Sequence, residues 1–308
     1  VPDAGRPVWI IANPTAGGGR GGRHAAIAAR VLAERGLSVR LLQPSSAEEA
    51  TVQAHTAGAQ QASAVIAAGG DGTVHAVLQG VAGTASPLGI VAAGSGDDIA
   101  ASLGFPLGDP QAAGHALADA LATDTTCQVD AARVTAADGV DRWYLGVMST
   151  GFDSSVNERA NRMHRMGGQR YTAAMLRELA SFRALPYRVE VDGQVLEDTG
   201  MLVSVGNGPR FGGGMLVCPA ARLDDGLLDV TWLGEISKPR FLGVFPSVYR
   251  GEHVAHPAVR TLRARALVID APGQVAYADG ERIGPLPVRV QAVAGAVRVL
   301  GGGPAPRP

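Results

Sequence analysis

Residues Ile66–Gly80 read IAAGGDGTVHAVLQG. The apolar run entering this stretch, ASAVIAA, has the composition of a buried strand, and Val74, Val77, Leu78 and Val81 beyond it stand at helical spacing. Between them lie Gly69-Gly70-Asp71-Gly72-Thr73. Glycine at such a junction serves either a tight turn or a loop whose N–H groups approach an anion with no Cβ in the way. The surrounding sequence has to decide between the two.

Outward from that junction, residues 1–126 alternate short apolar runs with Ala-rich helical segments. PVWIIANP reads as a buried strand ending at Pro14, GGRHAAIAARVLAERG as a helix closing at Gly36, and LSVRLLQ as a second strand. SAEEATVQAHTAG follows as a helix, with Ser46 as N-cap and Glu49 at the capping-box spacing. PLGIVAAGSGDD is a further strand-to-turn unit, and IAASLG starts another helix. This alternation predicts a parallel, Rossmann-like sheet with helices on its faces.

From Cys127 the rhythm changes. QVDAARVTA, RWYLGVMSTG, YRVEVDG, GMLVSVGNG, LLDVTWLG, RALVIDAPG, VAYADGE and LPVRVQAVAG are short runs with frequent alternation and turn punctuation. They predict a mainly antiparallel β-sandwich over residues 127–300, interrupted by helical segments at Gln169–Phe182 and Lys238–Tyr249. The tail GGGPAPRP, 301–308, reads as frayed and flexible.

A chain of 308 residues has room for two packed cores. With 46% hydrophobic and 18% charged residues it has the composition of a soluble globular protein. A net charge of −1 argues against a nucleic-acid partner held by bulk positive charge. Lys238 is the sole lysine among 27 basic residues, which excludes a Walker A loop and a kinase strand lysine. Any phosphate clamp must therefore use Arg, backbone N–H groups and metal. Cys127 and Cys218 build no C-x-x-C pair, so a reducing compartment is expected. VPDAGRPVWI lacks the layout of a signal peptide and no apolar run approaches membrane-spanning length, so a lipid substrate would be met from the water side.

Three Gly-rich loops each follow a strand and precede a helix: Asn13–Arg23, Gly69–Thr73 and Gly94–Asp98. In an open parallel sheet, turns at strand C-termini gather along one edge, where ligands bind. For one such loop a plain turn is the stronger reading; three together fit a polyphosphate. Asp71, between two glycines, suits Mg²⁺ bridging phosphates better than phosphate itself. Asp97 and Asp98 raise the same reading, with an N-cap as the competitor.

In order, the chain carries NPTAGGG, GGDGT, LGIVAAGSGDDIA, STGFD, NGPRFGGGM, CPAARLDDGLLDV and DGE. This set resembles the diacylglycerol kinase catalytic-domain family, which includes bacterial soluble diacylglycerol kinases and the sphingosine and ceramide kinases. GGDGT alone is shared with NAD kinases and phosphofructokinases; its pairing with DDGLLDV and DGE is more specific. The resemblance implies an NAD kinase/phosphofructokinase-like N-terminal domain, a C-terminal domain for the lipid, and ATP between the two. Nucleotide-binding residues would be Asn13, Pro14, Thr15, Gly17, Gly18, Gly69, Gly70, Asp71, Gly72, Thr73, Gly94, Ser95, Gly96 and Asp97. Asp71 would join the Mg²⁺ network, and Asp225 with the Leu227 carbonyl would hold a structural Mg²⁺, a plain inter-strand turn being the alternative. The catalytic set is Asp71 with the late pair Asp279 and Glu281. Glu281 is expected as general base and Asp279 as metal or water ligand, with the reverse assignment open; a hairpin turn at ADGE is compatible with both.

The chain departs from the family pattern at Ser95 and Asp97, where the family usually has Thr and Asn, and at Ala16, where it usually has Ser and where Thr15 is a candidate substitute. The expected activity is ATP- and Mg²⁺-dependent phosphorylation of diacylglycerol to phosphatidate, at the cytoplasmic side of a membrane met peripherally. Kinases of a sphingoid base, ceramide or NAD are the alternatives, as is a catalytically weak nucleotide- or lipid-binding regulator suggested by Asp97. A homodimer is an open partner state and nucleic acid is not expected. The interleaved Arg and Met residues of Asn157–Tyr171 read as an anionic-headgroup surface or as a solvated helix face.

Overall fold

The computed structural model of the chain describes residues 6–162, 175, 177–179 and 181–305. It divides into two compact units: residues 1–131, 223–226 and 293–308, and residues 132–222 and 227–292. Where the sequence places one boundary after 126, the chain thus returns to the first unit twice, in a short loop and at its C-terminal end.

The first unit is built on strands β1 (Val8–Ala12), β2 (Val39–Leu42), β3 (Ala64–Gly69) and β4 (Leu88–Ala92), parallel throughout in the order β4-β3-β1-β2. β1, β3 and β4 are buried at every position, whereas β2 at the edge is partly exposed. That is the pattern of a sheet covered on both faces. Helices α1 (Ala16–Glu34), α2 (Ala47–Ala59), α3 (Asp71–Val81), α4 (Asp98–Ser102) and α5 (Pro110–Ala122) make up the rest. Ser46 caps α2 by accepting the Glu49 N–H, as its spacing predicts, while the Glu49 carboxylate reaches Ser45 N rather than Ser46 N. Gly303 and Ala305 of the tail are tied down: their N–H groups donate to the carbonyls of Leu103 and Ser102 at the end of α4.

The remaining strands are β5 (Thr126–Thr135), β6 (Asp141–Tyr144), β7 (Val147–Gly151), β8 (Leu185–Val191), β9 (Gln194–Gly206), β10 (Leu228–Gly234), β11 (Val259–Ala264), β12 (Ala266–Asp270), β13 (Val275–Ala278), β14 (Glu281–Pro285) and β15 (Val288–Leu300). In the second unit they pair antiparallel in the order β14-β13-β7-β9-β8-β12-β15, with β10 beside β9 and β11 beside β10. Alternate residues of these strands fill one core, with Met148, Val203, Val205, Val230 and Trp232 among them. Trp232 meets Tyr187 edge to face at 5.9 Å. The face opposite that core carries α6 (Phe152–Arg162) and α7 (Lys238–Val244), which runs on as a 3-10 helix over Phe245–Arg250. The Lys238–Tyr249 helix is therefore present. Of the other expected helical segment, residues 177–179 are helical and 169–174 lie outside the described residues, as does most of the basic stretch, from Met163 onward.

Candidate active site

The first glycine-rich turn follows β1. Asn13 Oδ1 accepts from Thr15 N at 3.1 Å and from Thr15 Oγ at 2.8 Å, so the hydroxyl expected to stand in for the family serine is engaged inside the loop. Gly17, Gly18 and Gly19 all have left-handed backbone, and regular helix begins only after them. Gly17 cannot be replaced without strain: its φ is +58° and a Cβ there would lie 2.0 Å from Ala93 O. Proximity to the end of β4 is what demands glycine here.

The turns after β3 and β4 pack backbone against backbone. A Cβ on Gly94 would lie 2.6 Å from the Gly70 Cα and 2.6 Å from Asp97 Oδ1. Asp71 at the start of α3 accepts from Asp98 N at 3.2 Å and Ile99 N at 3.0 Å, joining the second turn to the helix after the third. Arg20 joins the first to the third, donating from Nε to Gly17 O at 2.9 Å and from Nη2 to Gly94 O at 2.8 Å. Asp97 has left-handed backbone at φ +57° and accepts the Gly94 N–H at 2.8 Å. Burial pushes its carboxyl above the usual range, with Asp98 adding to the effect and the Gly94 N–H and Arg20 opposing it. Gly69, Gly70, Gly72, Thr73, Gly94, Ser95, Gly96 and Asp97 thus join Asn13–Gly18 at the C-terminal ends of three adjacent strands. β1, β3 and β4 aim three loops at one edge.

In the second unit, ADGE is the expected hairpin: Asp279 and Gly280, at φ +53° and +85°, link β13 to β14. The Asp279 carboxylate is buried and accepts from Leu145 N at 3.1 Å and Gly146 N at 2.9 Å. Glu281 is exposed. On the α6 side of the sheet lies a cavity walled by Phe152, Met175, Leu202, Leu233, Phe241 and Phe245. Phe152 and Phe241 meet edge to face at 5.1 Å. Their side chains suit a hydrocarbon.

Among the described residues no group of three or more His, Cys, Asp or Glu side chains converges as a metal cage. The loop Leu223–Gly226, which contains Asp225, is held by Asp130: its amide donates to Leu223 O at 2.7 Å and its carboxylate accepts from Gly226 N at 2.6 Å and Gly295 N at 2.8 Å. Leu227 is the next residue, at the start of the second unit's return. A Mg²⁺ ion commonly uses one or two carboxylates and takes its other ligands from substrate phosphates and water. A single carboxylate such as Asp71 fits that requirement.

Residues 7–134 match the family model for the diacylglycerol kinase catalytic domain, and residues 146–301 match that for the YegS C-terminal NAD kinase beta sandwich-like domain. A diacylglycerol kinase of Mycobacterium tuberculosis (strain CDC 1551 / Oshkosh) is 40% identical over 95% of this chain and 94% of its own length. This chain belongs to the diacylglycerol kinase family of lipid kinases. A Pseudomonas aeruginosa protein (strain PAO1) named "Probable lipid kinase YegS-like" is 30% identical over 90% of this chain and 88% of its own. Among solved structures, a diacylglycerol kinase from Bacillus anthracis str. Sterne superposes with a TM-score of 0.70 at 22% identity, covering 96% of each chain. An NAD kinase from Archaeoglobus fulgidus in complex with ATP superposes at 0.52 and 13% identity, over 96% and 93%. These two likenesses bear on the fold: an NAD kinase-like α/β unit followed by a β-sandwich-like one, as the sequence predicts.

Within this lipid-kinase framework, sequence reasoning missed Arg20. It established that a clamp must be built without lysine, but an arginine's long-range acceptor leaves no local signature. It also missed the cavity, whose walls come from segments far apart in the chain. The Asp71 carboxylate, expected on metal, also accepts from the Asp98 and Ile99 N–H groups, partners 27 and 28 residues away that no local pattern shows.

Proposed function

We propose that the chain transfers the γ-phosphoryl group of ATP to the free hydroxyl of diacylglycerol, giving phosphatidate and ADP. The observation that carries this reading is the apolar cavity in the second unit of a chain whose first unit presents three glycine-rich turns on one sheet edge. The first suits an acyl chain and the second a polyphosphate. Identity of 40% to a named diacylglycerol kinase over nearly the full length supports the same acceptor.

The geometry supports a role for each part of the site. Loop N–H groups at Gly17–Gly18, Gly69–Thr73 and Gly94–Asp97 cradle the phosphates, with Arg20 holding the first and third turns in register. Mg²⁺ would arrive with ATP and be held by Asp71, neutralising phosphate charge; Asp225 and the Leu227 carbonyl remain the proposed second cation position. Direct transfer requires the lipid oxygen to reach the γ-phosphorus as its proton leaves to a base and ADP departs. Asp279 is the base we favour: it is buried and its direction is fixed by two backbone donors. Exposed Glu281 then serves as a ligand to water or metal, the reverse of the order favoured by sequence. The reaction consumes ATP, which places the enzyme at the cytoplasmic face, meeting the lipid peripherally; among the described residues no helix is long and apolar enough to cross a membrane.

The test is ATP turnover against diacylglycerol, a sphingoid base, ceramide, a phosphoglyceride with a free hydroxyl, and NAD. Diacylglycerol should be the preferred acceptor. A different lipid as preferred acceptor, the alternative the sequence leaves open, would keep the kinase and replace the substrate. No turnover with any of them would leave the nucleotide- or lipid-binding regulator.

A further inference from the structure

Strand register sets out the cavity floor in rows. Tyr277 pairs with Ser149, Ser149 with Ser204, and Ser204 with Thr231, so one row of hydroxyls crosses β13, β7, β9 and β10. Two residues along on the same face, Leu202 pairs with Leu233 and Leu233 with Val259, an apolar row. Two residues the other way are Gly206 and Asp229, with Asp279 N hydrogen-bonded to Val147 O in the same direction. The face therefore grades from apolar through hydroxyl to charged, Asp229 lying 3.5 Å from Arg263 Nε, in steps of about 7 Å.

All four hydroxyl residues are buried, between 1% and 3% exposed. Three have partners: Tyr277 Oη donates to Glu158 at 2.9 Å, Ser149 Oγ to Asp153 at 2.9 Å, and Thr231 Oγ to Val217 O at 2.9 Å. Ser204 Oγ has none, although Ser204 lines the cavity at the junction of the apolar and hydroxyl rows. A buried hydroxyl without a partner is costly, and it becomes favourable once a ligand supplies one. His253 lines the same cavity, and its Nδ1 is also without a partner. Its Nε2 must carry the proton, because it faces the Val217 carbonyl at 3.2 Å; in the neutral ring Nδ1 is then an acceptor. Burial holds that imidazole below its ordinary value, toward the neutral form. Of these two atoms, Ser204 Oγ is the one able to donate.

Resting on the lipid-kinase reading above, we infer that Ser204 is a specificity-determining residue: its hydroxyl donates to an ester carbonyl of an acylglycerol whose chain lies over the apolar row. Where a glycerolipid changes from hydrocarbon to oxygen, so does the floor.

The test compares 1,2-dioctanoylglycerol with its ether analogue, 1,2-di-O-octylglycerol, for the wild type, Ser204→Ala and Ser204→Thr. Equilibrium binding in detergent micelles without ATP and kcat/KM are both measured. The wild type should favour the ester by about tenfold. Ser204→Ala should lower ester binding and kcat/KM by about tenfold while leaving the ether within about twofold, and Ser204→Thr should keep the ester preference. Without lipid, Ser204→Ala should unfold about 2 °C higher, because it removes a buried hydroxyl that has no partner; a structural serine would shift the other way. Equal losses on both lipids, or no loss on either, would overturn the inference. A wild type that phosphorylates neither lipid yet binds the ester in a Ser204-dependent way would overturn the kinase reading and support the inference. Phosphorylation without ester preference would do the opposite.

Discussion

In the glycine-rich turns of the first unit, Asp71 and Arg20 each bridge two segments with two hydrogen bonds, whereas in the cavity of the second unit Ser204 Oγ and His253 Nδ1 have no partner. The turns are built mainly from backbone, and much of their polar side-chain chemistry goes into holding that backbone. The cavity is built from side chains and keeps polar atoms in reserve. Phosphate is compact, tetrahedral and always negatively charged, so a cradle of N–H donors can be completed before it arrives. A lipid is recognised by where oxygen interrupts hydrocarbon, and that calls for a few donors placed among apolar walls.

The comparison breaks if a change in one region alters the other region's substrate. Asp71→Ala frees the N–H groups of Asp98 and Ile99 and misplaces the third turn, so lipid phosphorylation should fall by about 100-fold or more while far-UV circular dichroism is kept. Gly17→Ala forces a left-handed residue and a Cβ against Ala93 O; chemical denaturation should show a loss of about 2 kcal/mol together with weaker ATP binding. Arg20→Ala should raise the KM for ATP by about tenfold and leave the lipid KM unchanged. The converse belongs to Phe241→Leu, which should raise the lipid KM about threefold with the ATP KM unmoved.

Asp97→Asn gives the smallest effect and carries a sign in pH. The folded carboxyl titrates higher than the unfolded one, so its favourable contribution exists at low pH and is lost as pH rises through the folded value. Ionised Asp97 is therefore a cost at neutral pH. The asparagine, which can still accept the Gly94 N–H, should raise Tm at pH 7, and the gain should shrink as pH falls toward about 4. A gain that grows on acidification would reverse the sign assigned to Asp97.

Much of the first unit was legible because its determinants are local. The run from Ala62 to Thr73 contains strand, turn and helix start in sequence, and Ser46-x-x-Glu49 marks a cap. The role of Arg20 depends on an acceptor 74 residues away, and no window along the chain shows it. The second unit was legible as antiparallel strands, because alternation is also local. Which hydroxyls share a row was not, since Ser149, Ser204 and Thr231 are brought together by pairing between distant strands. The return of residues 293–305 to the first unit was hidden for the same reason: Val299 pairs with Leu88, Gly295 N donates to Asp130, and Gly303 and Ala305 donate to Leu103 and Ser102, all far away in the chain. The hairpin at ADGE was legible from its turn residues; the burial of Asp279 beneath the N–H groups of Leu145 and Gly146 was not, because they lie 134 and 133 residues away.

The most direct measurement is transfer of the labelled γ-phosphoryl group of ATP to 1,2-dioctanoylglycerol by the wild type, Asp279→Asn and Glu281→Gln. Label should appear in phosphatidate with the wild type, fall by about a thousandfold with Asp279→Asn, and fall much less with Glu281→Gln. Full transfer by Asp279→Asn, or no transfer by a wild type that still binds ATP, would contradict the account.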